Sequence, residues 1–126
     1  MSIRSFVLTG FVLLASSVFG QDTAKLGEGA VLRSLDKVGG VSKDHILSQG
    51  GTLKIGNLMV ILGECRYPLA NPSGDAFTYL TVTNEVGSKD FFTGWMIASS
   101  PALNALDHVR YDVWPLRCTI SETETE

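Results

Sequence analysis

The sequence predicts a mainly β domain: a small β-sandwich or partly closed barrel with one short helix before the last strand. Three observations lead there. Apolar residues recur with a period of about two rather than 3.6 through most of residues 30–118. Clusters of Gly, Asn, Ser and Pro interrupt these runs at short intervals. The 126 residues, 44% hydrophobic and 18% charged, leave room for one domain rather than two.

Residues 30–36 form the first strand, with Val31 and Leu35 apolar and Gly39-Gly40 ending it. Residues 41–48 form a second, closed by Gly50-Gly51, and residues 52–55 a short third before the Gly56-Asn57 turn. Residues 58–67 carry the strongest signal. An apolar run passes into an alternation that places Glu64 and Arg66 on one face and Met59, Ile61, Cys65 and Tyr67 on the other, so Cys65 points inward. Residues 68–75, with two prolines, Asn71 and Gly74, form a loop. Residues 76–84 follow as a strand with Phe77 and Tyr79 opposite Leu80 and Val82, and Gly87-Ser88 turns the chain into an aromatic-rich strand at residues 91–98. Ser99-Ser100-Pro101 predicts a helix start, a hydroxyl cap followed by Pro at the first helical position, with residues 102–106 as one or two turns. Residues 111–118 close the domain, with Trp114, Leu116 and Cys118 sharing a face. Pro115 lacks a ladder donor and marks this strand as an edge.

The flanks read differently. Arg4, the apolar run at residues 6–14 and the Ser16-Ser17-Val18-Phe19-Gly20 segment have the layout of a secretory signal peptide over residues 1–20. The run is short of the roughly 20 residues that span a bilayer, so no transmembrane span is expected after cleavage. Residues 21–120 make the single mainly β domain. Residues 121–126, with Glu122, Glu124 and Glu126 alternating with Thr, are expected to be a disordered acidic tail. The expected compartment is periplasmic or secreted. There, Cys65 and Cys118 are expected to form a structural disulfide, since a redox pair needs closer spacing and zinc needs four ligands where two Cys and the distant His45 and His108 are all that exist. No metal site and no cofactor are expected. A net charge of −3 with scattered Lys and Arg argues against a nucleic-acid partner.

One segment is unusually dense: Phe92-Thr-Gly-Trp95-Met-Ile-Ala-Ser99-Ser100-Pro-Ala-Leu-Asn104-Ala-Leu-Asp107-His108-Val-Arg-Tyr111-Asp112-Val-Trp114-Pro-Leu-Arg-Cys118. Together with Val31-Leu-Arg-Ser-Leu-Asp-Lys37 and the segment from Gly51 to Tyr67 with its Gly-Thr-Leu-Lys-Ile core and Cys65, it resembles the domain of unknown function 2155 family of small exported proteobacterial proteins. Val109 stands where that family usually has Pro, and Pro115 where it usually has an aliphatic residue. The resemblance implies no activity, because the family has no established one.

The chemistry of this segment has two readings. Ser99, Ser100, Asp107, His108 and Asp112 invite a small Ser/His hydrolase, which needs a Ser oxygen on the imidazole and a carboxylate on its other nitrogen. No Gly-x-Ser-x-Gly elbow is present to expose a nucleophile. Ser-Ser-Pro is better explained as a helix cap, and Asp107-His108 as a chain-turning device. Trp95, Met96, Tyr111 and Trp114 are expected in the core, and Leu103 and Leu106 are expected to anchor the helix. Asp36 and Asp112 have Arg33, Lys37 and Arg110 as possible ion-pair partners. The favoured function is a non-catalytic binding or accessory module of the cell envelope with an envelope protein as partner. Its candidate binding patch is Trp95, Ser99, Ser100, Asn104, Asp107, His108, Tyr111 and Asp112. The alternatives are the hydrolase, using Ser100 and His108, and a carbohydrate-binding sandwich that stacks sugar on Trp95 or Tyr67.

Overall fold

The computed structural model describes Gly10 and residues 23–121; the rest of the expected signal segment, residues 21–22 and nearly all of the expected acidic tail, residues 122–126, lie outside the described residues. Eight strands follow one another: β1 (Ala24–Leu26), β2 (Gly29–Asp36), β3 (Val41–Ser48), β4 (Thr52–Ile55), β5 (Leu58–Pro68), β6 (Phe77–Asn84), β7 (Asp90–Ile97) and β8 (Tyr111–Thr119). All pairings are antiparallel. They make two sheets, β1-β5-β6-β7 with β4 also on β5, and β3-β2-β8. Of the two architectures expected, this is the sandwich; the sheets do not close into a barrel.

Seven of the strands coincide within one or two residues with the alternating runs, because a half-buried strand must place every second side chain in the core. β1 was not expected, since Ala-Lys-Leu is too short to show a period. It completes an edge. One side of the long strand β5 is met in turn by β4, by Gly50 and Gly51, whose backbone bonds Leu62, and by β1, so its amides and carbonyls are paired along most of its length.

The core lies between the sheets and includes Leu32, Leu58, Val60, Leu62, Tyr67, Leu80, Val82, Met96 and Val113. The expected face of β5 is partly corrected here. Leu58, Val60 and Leu62 point inward and Met59 and Ile61 do not; then the register slips at Gly63, and Cys65 and Tyr67 are buried instead. A one-residue bulge reverses the parity of everything beyond it. The same happens in β8. The register passes from Val31–Arg117 to Leu32–Pro115, skipping Leu116, so Val113 and Pro115 face the core with Cys118, while Trp114 and Leu116 do not share its face as expected. The two slips aim Cys65 and Cys118 at each other, and the disulfide joins the sheets with a Cα–Cα distance of 5.6 Å. β8 is the outer strand of its sheet, as its proline requires.

The predicted helix is also corrected. Pro101–Leu103 is a single 3-10 turn, Ser100 makes no side-chain cap, and Asn104 is already extended. The extended backbone at Asn104 ends the turn there, and Leu103 is left in solvent, 75% exposed, while Leu106 alone is buried.

Candidate functional site

The 98–110 connection is held by polar bonds rather than by a packed helix. The Ser99 hydroxyl donates to Asp75 Oδ2 at 2.7 Å and its amide to Oδ1 at 3.0 Å, which ties the connection to the loop before β6. The Asn104 side-chain amide donates to the Trp95 carbonyl at 2.8 Å, so Asn104 braces the segment against β7 although it is solvent-exposed. His108 Nδ1 accepts the backbone amides of Arg110 and Tyr111, both at 3.1 Å, while its ring lies edge-on to Phe91 and stacks on Tyr111. With Nδ1 accepting, the neutral ring carries its proton on Nε2. Lys37 Nζ reaches the His108 carbonyl at 2.6 Å. The expected chain-turning role of His108 is thus visible in its bonds. Asp107 is exposed, and Asp112 accepts its own neighbour's amide, Val113 N.

These contacts divide the sequence-predicted patch. Trp95, Ser99 and Asn104 belong to one group, and His108, Tyr111 and the preceding amides to another. No hydrogen bond joins Ser99 or Ser100 to His108 among the described residues; Ser99 is engaged by Asp75 and His108 Nδ1 by two amides. The His108 nitrogen that would face a carboxylate in a Ser/His relay instead accepts backbone amides.

The aromatic residues depart from expectation for the same reason of strand parity. Leu80 and Gly94 pair on the core side, as do Thr78 and Met96, so Tyr79 and Trp95, which also pair, project from the outer face of the sheet. Trp95 is 40% exposed and contacts Tyr79 edge-on at 5.3 Å, instead of filling the core. Trp114 and Tyr111 are half-buried and only Met96 of that group is enclosed. Tyr67 is 1% exposed, which removes it as a sugar platform.

Electrostatics cluster at the β2–β3 turn. Asp36 accepts both Arg110 guanidinium nitrogens at 3.1 and 3.2 Å and the amides of Val38 and Gly39. The Arg110 hydrogen bonds, with help from the Gly39 amide, hold its carboxyl down at about 2. Of the partners considered for Asp36, Arg110 is the one bound; Arg33 instead forks onto Asp44 at 2.7 and 3.0 Å and lowers that carboxyl.

A feature the sequence reading missed lies at this same end of the sandwich. Val41, Lys43, His45 and Leu47 alternate along β3 and face the same side as Leu32, Ser34 and Asp36 of β2. The Ser34 hydroxyl, buried between the sheets, and His45 Nε2 are 2.8 Å apart. They border a cavity of about 330 Å³ that runs to the β4–β5 turn and Tyr111. The only sequence signal was two polar residues on one face of a strand, and it was hidden because positions 42, 44 and 48 on the other face are polar as well.

A family model described as an uncharacterized protein conserved in bacteria, domain of unknown function 2155, matches residues 30–118, from the start of β2 to the second cysteine. An uncharacterized protein of Rickettsia prowazekii (strain Madrid E) is 27% identical over 88 residues, covering 68% of this chain and 57% of that relative. The chain therefore spans little more than half of the length of the curated protein it matches. No solved structure matches. Among the described residues no helix is long and apolar enough to cross a membrane. On the extent of the family match, which takes in strands of both sheets and both cysteines, the chain belongs to the domain of unknown function 2155 family of bacterial proteins.

Proposed function

We propose that the protein is an exported, non-catalytic binding or accessory module of the cell envelope, and that it engages a protein partner with the surface around Trp95 and the 99–109 connection. The observation that carries this reading is the exposure of three large apolar side chains on or beside that connection: Trp95, Leu103 at 75% and Val109 at 91%. Solvent-facing aromatic residues on a braced scaffold are the usual anchors of protein interfaces. Asn104 and Ser99 supply the bracing, and Asp107 and His108 border the surface. Export is supported by the signal-like pattern of residues 1–20 and by the disulfide, which persists outside the reducing cytosol.

The test is copurification from the cell envelope with the Trp95→Ala/Leu103→Ser variant beside the parent protein. The variant is expected to keep its disulfide and melting behaviour and to lose partners that the parent retains. Identical partners for both would overturn the reading, and a full-length chain found in the cytosol would overturn export. The exposed Trp95 ring also favours carbohydrate binding as a second reading. Quenching of Trp95 fluorescence by envelope glycan fragments, absent from the Trp95→Ala variant, would select it over the protein partner.

A further inference from the structure

The cavity at the open end of the sandwich has a charge balance that its own residues do not close. Its single carboxylate, Asp36, is committed to Arg110 and to two backbone amides. Lys54, on the opposite wall, is paired with Glu85 at 2.6 Å. Lys43 borders the same space from the inward-facing row of β3, and its ammonium has no hydrogen-bond or ion-pair partner among the described residues. The Tyr111 hydroxyl occupies the space that a side chain at Gly56 would need, and it too lacks a hydrogen-bond partner among the described residues. Deeper in, the Ser34 hydroxyl and the His45 ring are already bonded to each other, which fixes the imidazole. Ile55, Val41 and the Tyr111 ring add apolar walls.

A solvent-exposed ammonium without an ion-pair partner and a phenol without a hydrogen-bond partner, beside a fixed imidazole and bordering a space of about 330 Å³, are groups suited to an oxyanion. We propose that this cavity binds a small organic oxyanion, a carboxylate or phosphate on an apolar body. Lys43 meets its charge, Tyr111 Oη donates to one oxygen, and the apolar body lies against Ile55 and Val41. The site is separate from the Trp95 surface, and its success or failure is independent of the partner-binding reading. It requires no chemistry: Ser34 and His45 have no hydrogen-bonded carboxylate to complete a relay among the described residues.

The experiment is a titration of the isotope-labelled, disulfide-intact full chain with benzoate and with phenyl phosphate, followed by amide chemical shifts. Acetate and inorganic phosphate serve as the same anions without the apolar body. Saturable shifts are expected at Ser34, His45, Ile55, Gly56 and Tyr111, stronger for the aryl compounds than for the bare ions. The tighter of the two aryl ligands identifies the headgroup class. Lys43→Gln, on an exposed part of an edge strand, is expected to weaken binding about tenfold, and Tyr111→Phe, which keeps the ring, about threefold. Lys25→Gln, at the end of β5 opposite the β4–β5 turn, is expected to leave it unchanged. Absence of saturable shifts up to about 20 mM ligand, shifts that survive Lys43→Gln, or equal weakening by Lys25→Gln would each overturn the site.

Discussion

Replacing both cysteines, Cys65→Ala/Cys118→Ala, tests what holds the two sheets together. The bridge closes a loop between residues 53 apart, and the chain-entropy relation gives about 4 kcal/mol of stabilisation for a loop of that size. A domain of this size has a total stability of roughly 5–15 kcal/mol, so the bridge accounts for a large part of it. At about 4–8 °C per kcal/mol, the melting temperature is expected to fall by roughly 15–30 °C. Both cysteines are buried, so the variant also loses some packing. Reduction of the parent protein removes the loop without removing the sulfur atoms and separates the two contributions. Urea unfolding of the oxidised parent, the reduced parent and the double variant is the assay. The two uncrosslinked forms are expected to agree within about 1 kcal/mol and to show a larger denaturant slope, because their unfolded chains expose more surface. A loss below about 1 kcal/mol would refute the reasoning and assign the cohesion of the sandwich to its core alone.

The other expectations follow from single positions. Deleting Gly63 removes the extra residue of the β5 bulge and leaves Glu64 opposite Tyr79 and Cys65 opposite Thr78, so Cys65 stays inward and the bridge to Cys118 is expected to form; two titratable thiols in the purified protein would contradict this. Gly56→Ala and Gly87→Ala both place a side chain at positive φ, but only at position 56 would the new Cβ collide with Tyr111, whereas Gly87 faces open space. The cost is expected near 1 kcal/mol at position 87 and about 2–3 kcal/mol at position 56, by urea midpoint; equal costs would mean that Tyr111 moves aside. Asp36 has a folded-state carboxyl at about 2, below its ordinary value of 3.8, so the folded state binds fewer protons than the unfolded state in that interval. Its stabilisation is therefore present above about pH 4 and lost as the pH falls through about 2. Asp36→Asn is expected to be less stable than the parent at pH 7 and indistinguishable from it below pH 2, and an acid limb unchanged by the substitution would disprove the role.

Legibility differed between the strands and the site. The residues of β2 and of β4 through β8 announce their strands because each run combines alternation with a flanking turn, a signal that lies within about ten residues. The Gly39-Gly40, Gly56 and Gly87 turns were visible for the same reason. The 98–110 connection was misjudged because Ser-Ser-Pro is a strong local helix start, whereas the length of the segment that follows is governed by where β7 ends and β8 begins. Trp95 was expected inside on size alone. Its actual place follows from pairing with Tyr79 opposite the Leu80–Gly94 pair, which no single run of residues displays. The Ser34–His45 contact joins two strands across a hairpin and needed their register to be seen at all.

By itself the sequence determined the mainly β class, most strand positions, the edge character of the strand bearing Pro115, the pairing of the two cysteines and the family resemblance. These are properties of composition, local period and count. Only the tertiary structure decided which side of each strand is inside beyond a bulge. Period two is preserved along a strand only while both partners advance together, and one skipped residue at Gly63 and another at Leu116 exchange core for surface. The sides on which Met59, Ile61, Trp114 and Leu116 lie relative to the two cysteines, and hence the make-up of the seam between the sheets, are set by that alignment between distant segments.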